Sequence, residues 1–423
     1  MQGGTINLHT DTDASKGIKC KDGFTMTGGR ITGEATGRVV IEDGETSYCS
    51  LLKSGGNFQM DGGEITLKHH GDGGRCISVD GNMTINGGTL NLECHGDGGS
   101  YEGSAGAPPA TIAGESPALP VDCYTPKCIT VDDTLRITAG TLDCLSTGLG
   151  GKGIVAGKYL AIGEDEAHGP TVRVETRGEC IVNNVDEDLR SGCPKGIKAN
   201  EKLCIYGGDI AVTTAGMGGE GIESNGTMFV YGGTLECNTF DDGINVADSI
   251  EIAGGRVYCC SADNDGIDSN GSITISGGIV AAVNQKRPNE SFDAVKGRFR
   301  ILGGTVFGIG SSAVEVKESL TPCYSTPYED ESALIGGFIF SEGKYIYVTN
   351  GNNVIMALRN DNKSLRSFLT LSHPSLLDGG QYQVWEGDLP IGATESLFDD
   401  RLTFGGQPNN VHPIANIQAL IYC

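Results

Sequence analysis

Along most of the chain short runs alternate apolar and polar residues. Met228 and Val230 alternate with Phe229 and Tyr231, and Ile250 and Ile252 with Glu251 and Ala253. A period of two belongs to a β-strand with one face in a core. Each run ends at a Gly-Gly or Ala-Gly corner, and a second alternating run follows. Aligned on itself, the chain yields one motif in a single frame: GIKCKDGFTMTGG (17–29), CISVDGNMTINGG (76–88), CITVDDTLRITAG (128–140) and GIKANEKLCIYGG (196–208). GIESNGTMFVYGG (221–233), GINVADSIEIAGG (243–255) and GIDSNGSITISGG (266–278) continue it, and FDAVKGRFRILGG, ending at Gly304, is a degenerate copy. From Gly196 the copies return about every 22–26 residues, short for paired-helix repeats and right for coils of a β-solenoid. A lone coil cannot bury its inner face, so stability has to come from its neighbours.

Two stretches break the period. Residues 97–127 and 178–195 are rich in Gly, Ser, Pro and Asp and are predicted to protrude from corners as loop insertions. Beyond residue 321 the repeat stops. The remainder, with GGFIFSEGKYIYVTNG, VIMALRN, FLTLSHP and GQYQVWEG, reads as short strands and turns. The predicted organisation is therefore a parallel β-helix over 1–321 and a β-rich cap over 322–423, lying across the open end of the core. Trp385, the sole tryptophan, is expected in the core of that cap.

Composition sharpens this picture. Glycine numbers 67 of 423 residues against only 14 prolines, which excludes collagen-like and disordered Pro/Gly tracts and points to glycine at fixed corners. Thirty basic against 54 acidic residues leave a net charge of -24, arguing against nucleic acid and anionic membrane as partners and in favour of divalent cations or cation-bridged ligands. No apolar run is long enough for a spanning helix, and a monomer is expected. The sequence starts inside a repeat, so a signal segment or anchor is expected to have preceded it. The 15 cysteines form no C-x-x-C pair of a zinc site. Cys144, Cys237 and Cys259 occupy the inward position that Leu8, Leu67, Leu92 and Val212 hold in other coils, and read as small buried hydrophobes. Cys180 with Cys193, and Cys323 with Cys423, are possible disulfides that sequence cannot pair.

Charge follows the coils. The position before Gly-Ile is Lys16, Arg75, Lys127, Lys152 and Lys195, then Glu220, Asp242, Asp265 and, in the degenerate copy, Asp293. Two residues past that glycine the same switch runs from Lys19 and Lys198 to Glu223, Asn245 and Asp268, and Asp241, Asp263 and Asn264 thicken the acidic part. Carboxylates stacked about 4.8 Å apart repel by about 3–4 kcal/mol per pair at an effective dielectric near 20. Such a column needs a cation or protonation. An oxygen-only set made of Glu220, Glu223, Asp241, Asp242, Asp263, Asn264, Asp265 and Asp268, with no histidine beside it, favours Ca²⁺ over zinc. The alternative is a solvated acidic corner.

Lys195 and Lys198 lie one coil from Glu220 and Glu223. Either they offset those carboxylates, or they hold a uronate that calcium bridges from the other side. Tyr206, Phe229 and Tyr231 form an outward row on which sugar rings can pack, although aromatics also stabilise exposed sheets.

From PKGIKANEKLCIYGG through DDGINVADSIEIAGG to DNDGIDSNGSITISGG, the chain resembles the carbohydrate-binding domain-containing β-helix family, which is pectate-lyase-like in fold. The likeness is strong over residues 194–305, weaker over the N-terminal half, and echoed at LTLSHPSLLDGGQYQVW. It implies an all-β, right-handed parallel β-helix at the cell surface or outside the cell, whose studied relatives are calcium-containing binders of plant-type polysaccharide, pectin-like or cellulose-like. A binder without catalysis is therefore expected. A calcium-dependent pectate lyase, with Lys195, Lys198 or Arg190 as base, is the second reading. A surface scaffold or adhesin with structural calcium is the third.

Overall fold

The computed structural model describes residues 1–102, 121–181, 192–294, 298–327 and 337–422. Among them the regular structure is all β-strand, with no α-helix, and the strands of successive coils pair in parallel. The chain divides into two compact units, Met1–Leu203 with Gly208–Glu223, and Cys204–Gly207 with Ser224–Cys423.

In the first unit each regular coil gives one strand to each of three sheets. One sheet runs Thr5–Thr10, Arg30–Ala35, Glu64–His69, Thr89–Cys94, Thr141–Ser146, Thr171–Thr176 and Asp209–Thr214. The second runs Lys16–Cys20, Ser50–Ser54, Arg75–Val79, Lys127–Val131, Lys152–Ala156 and Lys195–Ala199. The third runs Gly23–Met26, Asn57–Met60, Met83–Ile85, Leu135–Ile137 and Tyr159–Ile162. The predicted inward column is seen in register as Leu8, Gly33, Leu67, Leu92, Cys144, Val174 and Val212. Cys144 therefore does the work of a small aliphatic residue, as do Cys237 and Cys259, which pair in register in the second unit.

Glycine serves the stacking in two ways. The second glycine of each corner takes a left-handed backbone, with φ of 92° at Gly88 and 77° at Gly278, where a side chain is strained. A separate column has no room for a β-carbon: one on Gly148 would lie 1.9 Å from the carbonyl oxygen of Gly96, and one on Gly96 would lie 2.1 Å from that of Gly71. Gly148→Ala must push neighbouring coils apart and is expected to cost about 1–3 kcal/mol. Gly3→Ala, which meets nothing within 4 Å, serves as the control. Equal denaturation midpoints for the two variants would contradict the close-approach account.

Each insertion is described in part. Gly99–Glu102 pairs antiparallel with Val121–Tyr124, and the Tyr101 hydroxyl donates to Asp122 Oδ2 at 3.0 Å. The second insertion is closed by the disulfide Cys180–Cys193. The other pairing considered, Cys323 with Cys423, involves a residue outside the described ones.

The second unit repeats the three-sheet pattern with Thr234–Thr239, Arg256–Ser261, Ile279–Asn284 and Thr305–Gly310 in one sheet. Ile244–Val246, Ile267–Ser269 and Phe292–Ala294 form another, and Thr227–Val230, Ser249–Ile252, Ser272–Ile275, Phe299–Ile301 and Val316–Ser319 the third. The C-terminal part covers this unit in a way that differs from a lid on an open end. Phe368–Ser372 does close a sheet edge, pairing antiparallel with Thr305–Gly310. The strands Tyr345–Asn350, Asn353–Arg359, Gln381–Ile391, Glu395–Leu397, Leu402–Phe404 and Gln407–Gln418 instead form a six-stranded antiparallel sheet. Its Ile346, Val348, Met356, Leu358, Tyr382 and Val384 share one apolar cluster with Tyr258, Cys260, Ala281, Val283, Phe307 and Ile309. Those six alternate with the inward residues of their strands, so this sheet packs on the flank of the coils. Trp385 is partly buried beside Tyr345 and Tyr347 and donates its indole N–H to Thr349 Oγ1 at 3.0 Å.

Candidate functional site

The position before Gly-Ile forms a true column. Arg75, Lys127, Lys152 and Lys195 stand in register on adjacent strands, and Lys16 meets Ser50 before Arg75. Burial pulls Lys152 down to about 8, with Lys198 and Lys195 adding repulsion against the opposing pull of Glu223. Lys127 is pushed well below its ordinary value by burial and by its neighbours Arg75 and Lys152.

At the end of this column the charges balance. Lys195 Nζ lies 2.6 Å from Glu220 Oε1 and 3.3 Å from Glu223 Oε2, and Lys198 Nζ lies 2.7 Å from Glu223 Oε1. Two ammonium groups face two carboxylates, and the Lys195 and Glu220 side chains are only 4% and 2% exposed. Burial opposes ionisation of Lys195 and Glu223, yet Glu220 and Glu223 hold Lys195 above its ordinary value, while Lys195 and Lys198 pull Glu223 down to about 2. A lysine held this way is the opposite of the low-pKa base a lyase needs. The arrangement is the charge-offsetting one of the two roles that the sequence allowed, and it leaves Glu220 and Glu223 engaged by lysine. Arg190, the other base considered, lies outside the described residues.

The remaining carboxylates belong to the second unit. Asn245, Asp268 and Asp293 stand in register, as do Ile244, Ile267 and Phe292. Asp293 is therefore the equivalent of Asp268, three positions from where the Gly-Ile frame puts it, and Glu290 takes the place beside Asp265. The signal was present: Glu290-Ser291-Phe292-Asp293 matches Asp265-Gly266-Ile267-Asp268 with serine for glycine. A shared backbone pattern supports it. Asp242 Oδ1 accepts the Asp265 N–H at 2.9 Å, and Asp265 Oδ1 accepts the Glu290 N–H at 2.5 Å.

Carboxylate oxygens of Asp265, Asp268 and Asp293 all lie within 4.8 Å of one another. Among the described residues no other trio of His, Cys, Asp or Glu comes so close. Burial pushes the Asp265 carboxyl up to about 7, against the stabilising Glu290 N–H and with help from the charges of Asp293 and Asp241. Glu290 is pushed up to about 9 by burial and then by Asp293, Asp265 and Glu315. Burial likewise raises Asp293.

The other predicted ligands sit around this cluster with other contacts. Asp242 Oδ2 accepts a hydrogen bond from Asn245 Nδ2 at 3.2 Å, and Asp263 is in an ion pair with Lys286. Asn264 is held by its backbone, donating to Ser261 Oγ and accepting from Asn284 Nδ2. Asp241 accepts from Thr239 Oγ1 through its carbonyl.

The aromatic row is also formed. Tyr206 and Tyr231 stack at 5.3 Å between centroids, and Phe229 lies 6.0 Å from Tyr231 at an interplanar angle of 7°. Tyr231 is 43% exposed, so the stack presents a face to solvent. Ladder stacking accounts for the geometry by itself.

A family model described as carbohydrate-binding domain-containing protein matches residues 110–266 and 215–319, a span that includes Lys127, Lys152 and Lys195 of the basic column, the acidic column and the aromatic row. Comparison with curated proteins and with solved structures gave no match.

Proposed function

We propose that this is a calcium-containing carbohydrate-binding protein of the cell surface or extracellular space that holds a plant-type polysaccharide without turning it over. The family match supports the carbohydrate part. The calcium part is carried by one observation, the half-buried convergence of Asp265, Asp268 and Asp293 beside Glu290. Oxygen-only donors of high charge density suit a hard cation, and calcium accepts six to eight oxygens at about 2.3–2.6 Å. Asp265, Asp268 and Asp293 would hold the ion, which would neutralise their repulsion and offer open positions to sugar hydroxyl or uronate oxygens. Asp242 and Glu290 would position the ligands through the backbone hydrogen bonds that tie one coil to the next. We read the coils of each unit as winding right-handed, the hand nearly all parallel crossover connections take. Tyr206, Phe229 and Tyr231 would supply a platform for sugar rings.

Electrophoresis in gels containing polygalacturonate or hydroxyethylcellulose tests the binding reading, run with calcium and with a chelator. Retardation by at least one polymer is expected. Retardation by polygalacturonate should disappear on chelation, because a protein of charge -24 repels a polyuronate unless a cation intervenes. Retardation by no polymer would favour the scaffold reading. Steady growth of ultraviolet absorbance from unsaturated product on polygalacturonate would favour the lyase.

A further inference from the structure

We propose that the outer face of the first unit carries a separate subsite for a neutral, hydroxyl-rich polysaccharide, formed by Asn91, Asp143 and Arg173 over the apolar side chain of Leu145. The inference rests on the carbohydrate-binding reading and assigns one ligand class to a place that the charged columns do not include.

A shallow open groove of about 480 Å³ runs across the strands Thr89–Cys94, Thr141–Ser146, Thr171–Thr176 and Asp209–Thr214. Its floor is built from two outward rows in register. Asn91, Asp143, Arg173 and Ala211 form one, and Glu93, Leu145, Glu175 and Thr213 the other. The small residues Ala211 and Thr213 leave one end open.

What distinguishes the first row is that its polar groups are not used up by the protein. Neighbouring outward side chains are paired: Glu93 binds Lys68 and His95, each at 2.8–2.9 Å, and Glu175 binds Arg177 at 2.5 Å. Among the described residues the Asn91 amide and the Asp143 carboxylate take no hydrogen-bond or ion-pair partner. Arg173 stands directly beside Asp143 in register, yet among the described residues its only ion pair is a loose one with Asp209 at 3.9 Å. An amide, a carboxylate and a guanidinium thus follow one another at the coil spacing, about 4.8 Å. That spacing is close to the length of one pyranose residue. A chain laid along the groove would meet one polar group per sugar, with donors and acceptors for vicinal hydroxyls and Leu145 for a C–H face.

Charge selects the ligand class. Glu93, Asp143 and Glu175 line the groove with Arg173 as the single cation. Glu93 and Glu175 are already paired with Lys68 and Arg177, and Asp143 stands beside Arg173, so the groove has no net positive charge to hold a polyuronate, whereas neutral sugars need none.

The test uses the full chain with calcium present, in gels containing hydroxyethylcellulose and in parallel gels containing polygalacturonate. Asn91→Ala combined with Asp143→Ala is expected to weaken hydroxyethylcellulose binding by about tenfold or more, since two direct hydrogen-bonding groups are lost. The melting temperature, the calcium content and any retardation by polygalacturonate should stay as in the wild type. Asp143→Asn, which keeps an acceptor, should lose less. If the double variant runs like the wild type in hydroxyethylcellulose, the subsite is overturned while polysaccharide binding stands. If the wild type is retarded by polygalacturonate alone, the neutral ligand class is overturned. If it is retarded by neither polymer, the subsite and the carbohydrate-binding reading fall together.

Discussion

Lys195→Ala is expected to lower the unfolding free energy by about 3–5 kcal/mol, the typical cost of leaving a buried charge without its partner. The side chain is 4% exposed and its ammonium reaches both Glu220 and Glu223. Lys198 can still serve Glu223, so Glu220 suffers most. Lys195→Met with Glu220→Gln keeps the volume and removes both charges, and should cost less than the single change. The pH profile gives an independent check. Glu223 has its carboxyl lowered to about 2, so its contribution is present above its unfolded value of about 4.5 and is lost as pH falls toward 2. Lys195 is raised, so its contribution is present below about 10.5 and is lost as pH rises through its folded value. The wild-type network should therefore give a plateau from about pH 5 to pH 10. In Lys195→Ala the deficit should shrink on acidification, as Glu220 takes up a proton. Urea midpoints across that range measure this, and a deficit independent of pH would mean that lost packing, not charge, is responsible.

How legible this was in the chain varied with the kind of information each residue carries. Column positions such as Leu67, Leu92 and Cys144 were readable because a parallel coil repeats its alternation in register, and Gly-Gly fixes the frame. The frame failed at the copy where Ser291 replaces glycine, and with it went the equivalence of Asp293 with Asp268 and the part played by Glu290. Aligning on the buried apolar residue, Phe292 with Ile267, would have kept it. Glu220 and Glu223 looked like ligands because sequence shows sign along a column but not which neighbour each charge reaches. The C-terminal sheet leaves a trace in the sequence. In VYCC (257–260) and VAAV (280–283) the outward positions are apolar as well as the inward ones, and a strand buried on both faces has another layer against it. The groove could not be foreseen, because Asn91, Asp143 and Arg173 lie far apart in sequence and only register sets them side by side.

In chelator the protein should lose stability as pH rises, and calcium bound at the proposed site should offset part of that loss. In the metal-free protein burial and mutual repulsion raise Asp265 to about 7 and Glu290 to about 9, from unfolded values near 3.8 and 4.5. A folded value above the unfolded one means that the native state holds the proton longer. The stability tied to these groups is then fully present below about pH 4, falls as pH rises through 7, and continues to fall toward 9. At the proposed site a cation would take the place of those protons. At about a hundred times its dissociation constant calcium adds about 2.7 kcal/mol, or roughly 5–10 °C in melting temperature for a domain of about 200 residues. Its effect should be greatest at neutral and alkaline pH and vanish near pH 4, where the ligands are protonated. Asp268→Asn separates this from a merely solvated acidic corner. The variant relieves repulsion but removes a ligand, so it should equal or exceed the wild type in chelator and fall below it in calcium. Scanning calorimetry of both proteins at pH 4 and pH 8 reads the crossing directly. Parallel melting curves with and without calcium at pH 8 would remove the ion from the proposal and leave Asp265, Asp268 and Asp293 to reach neutrality by sharing protons.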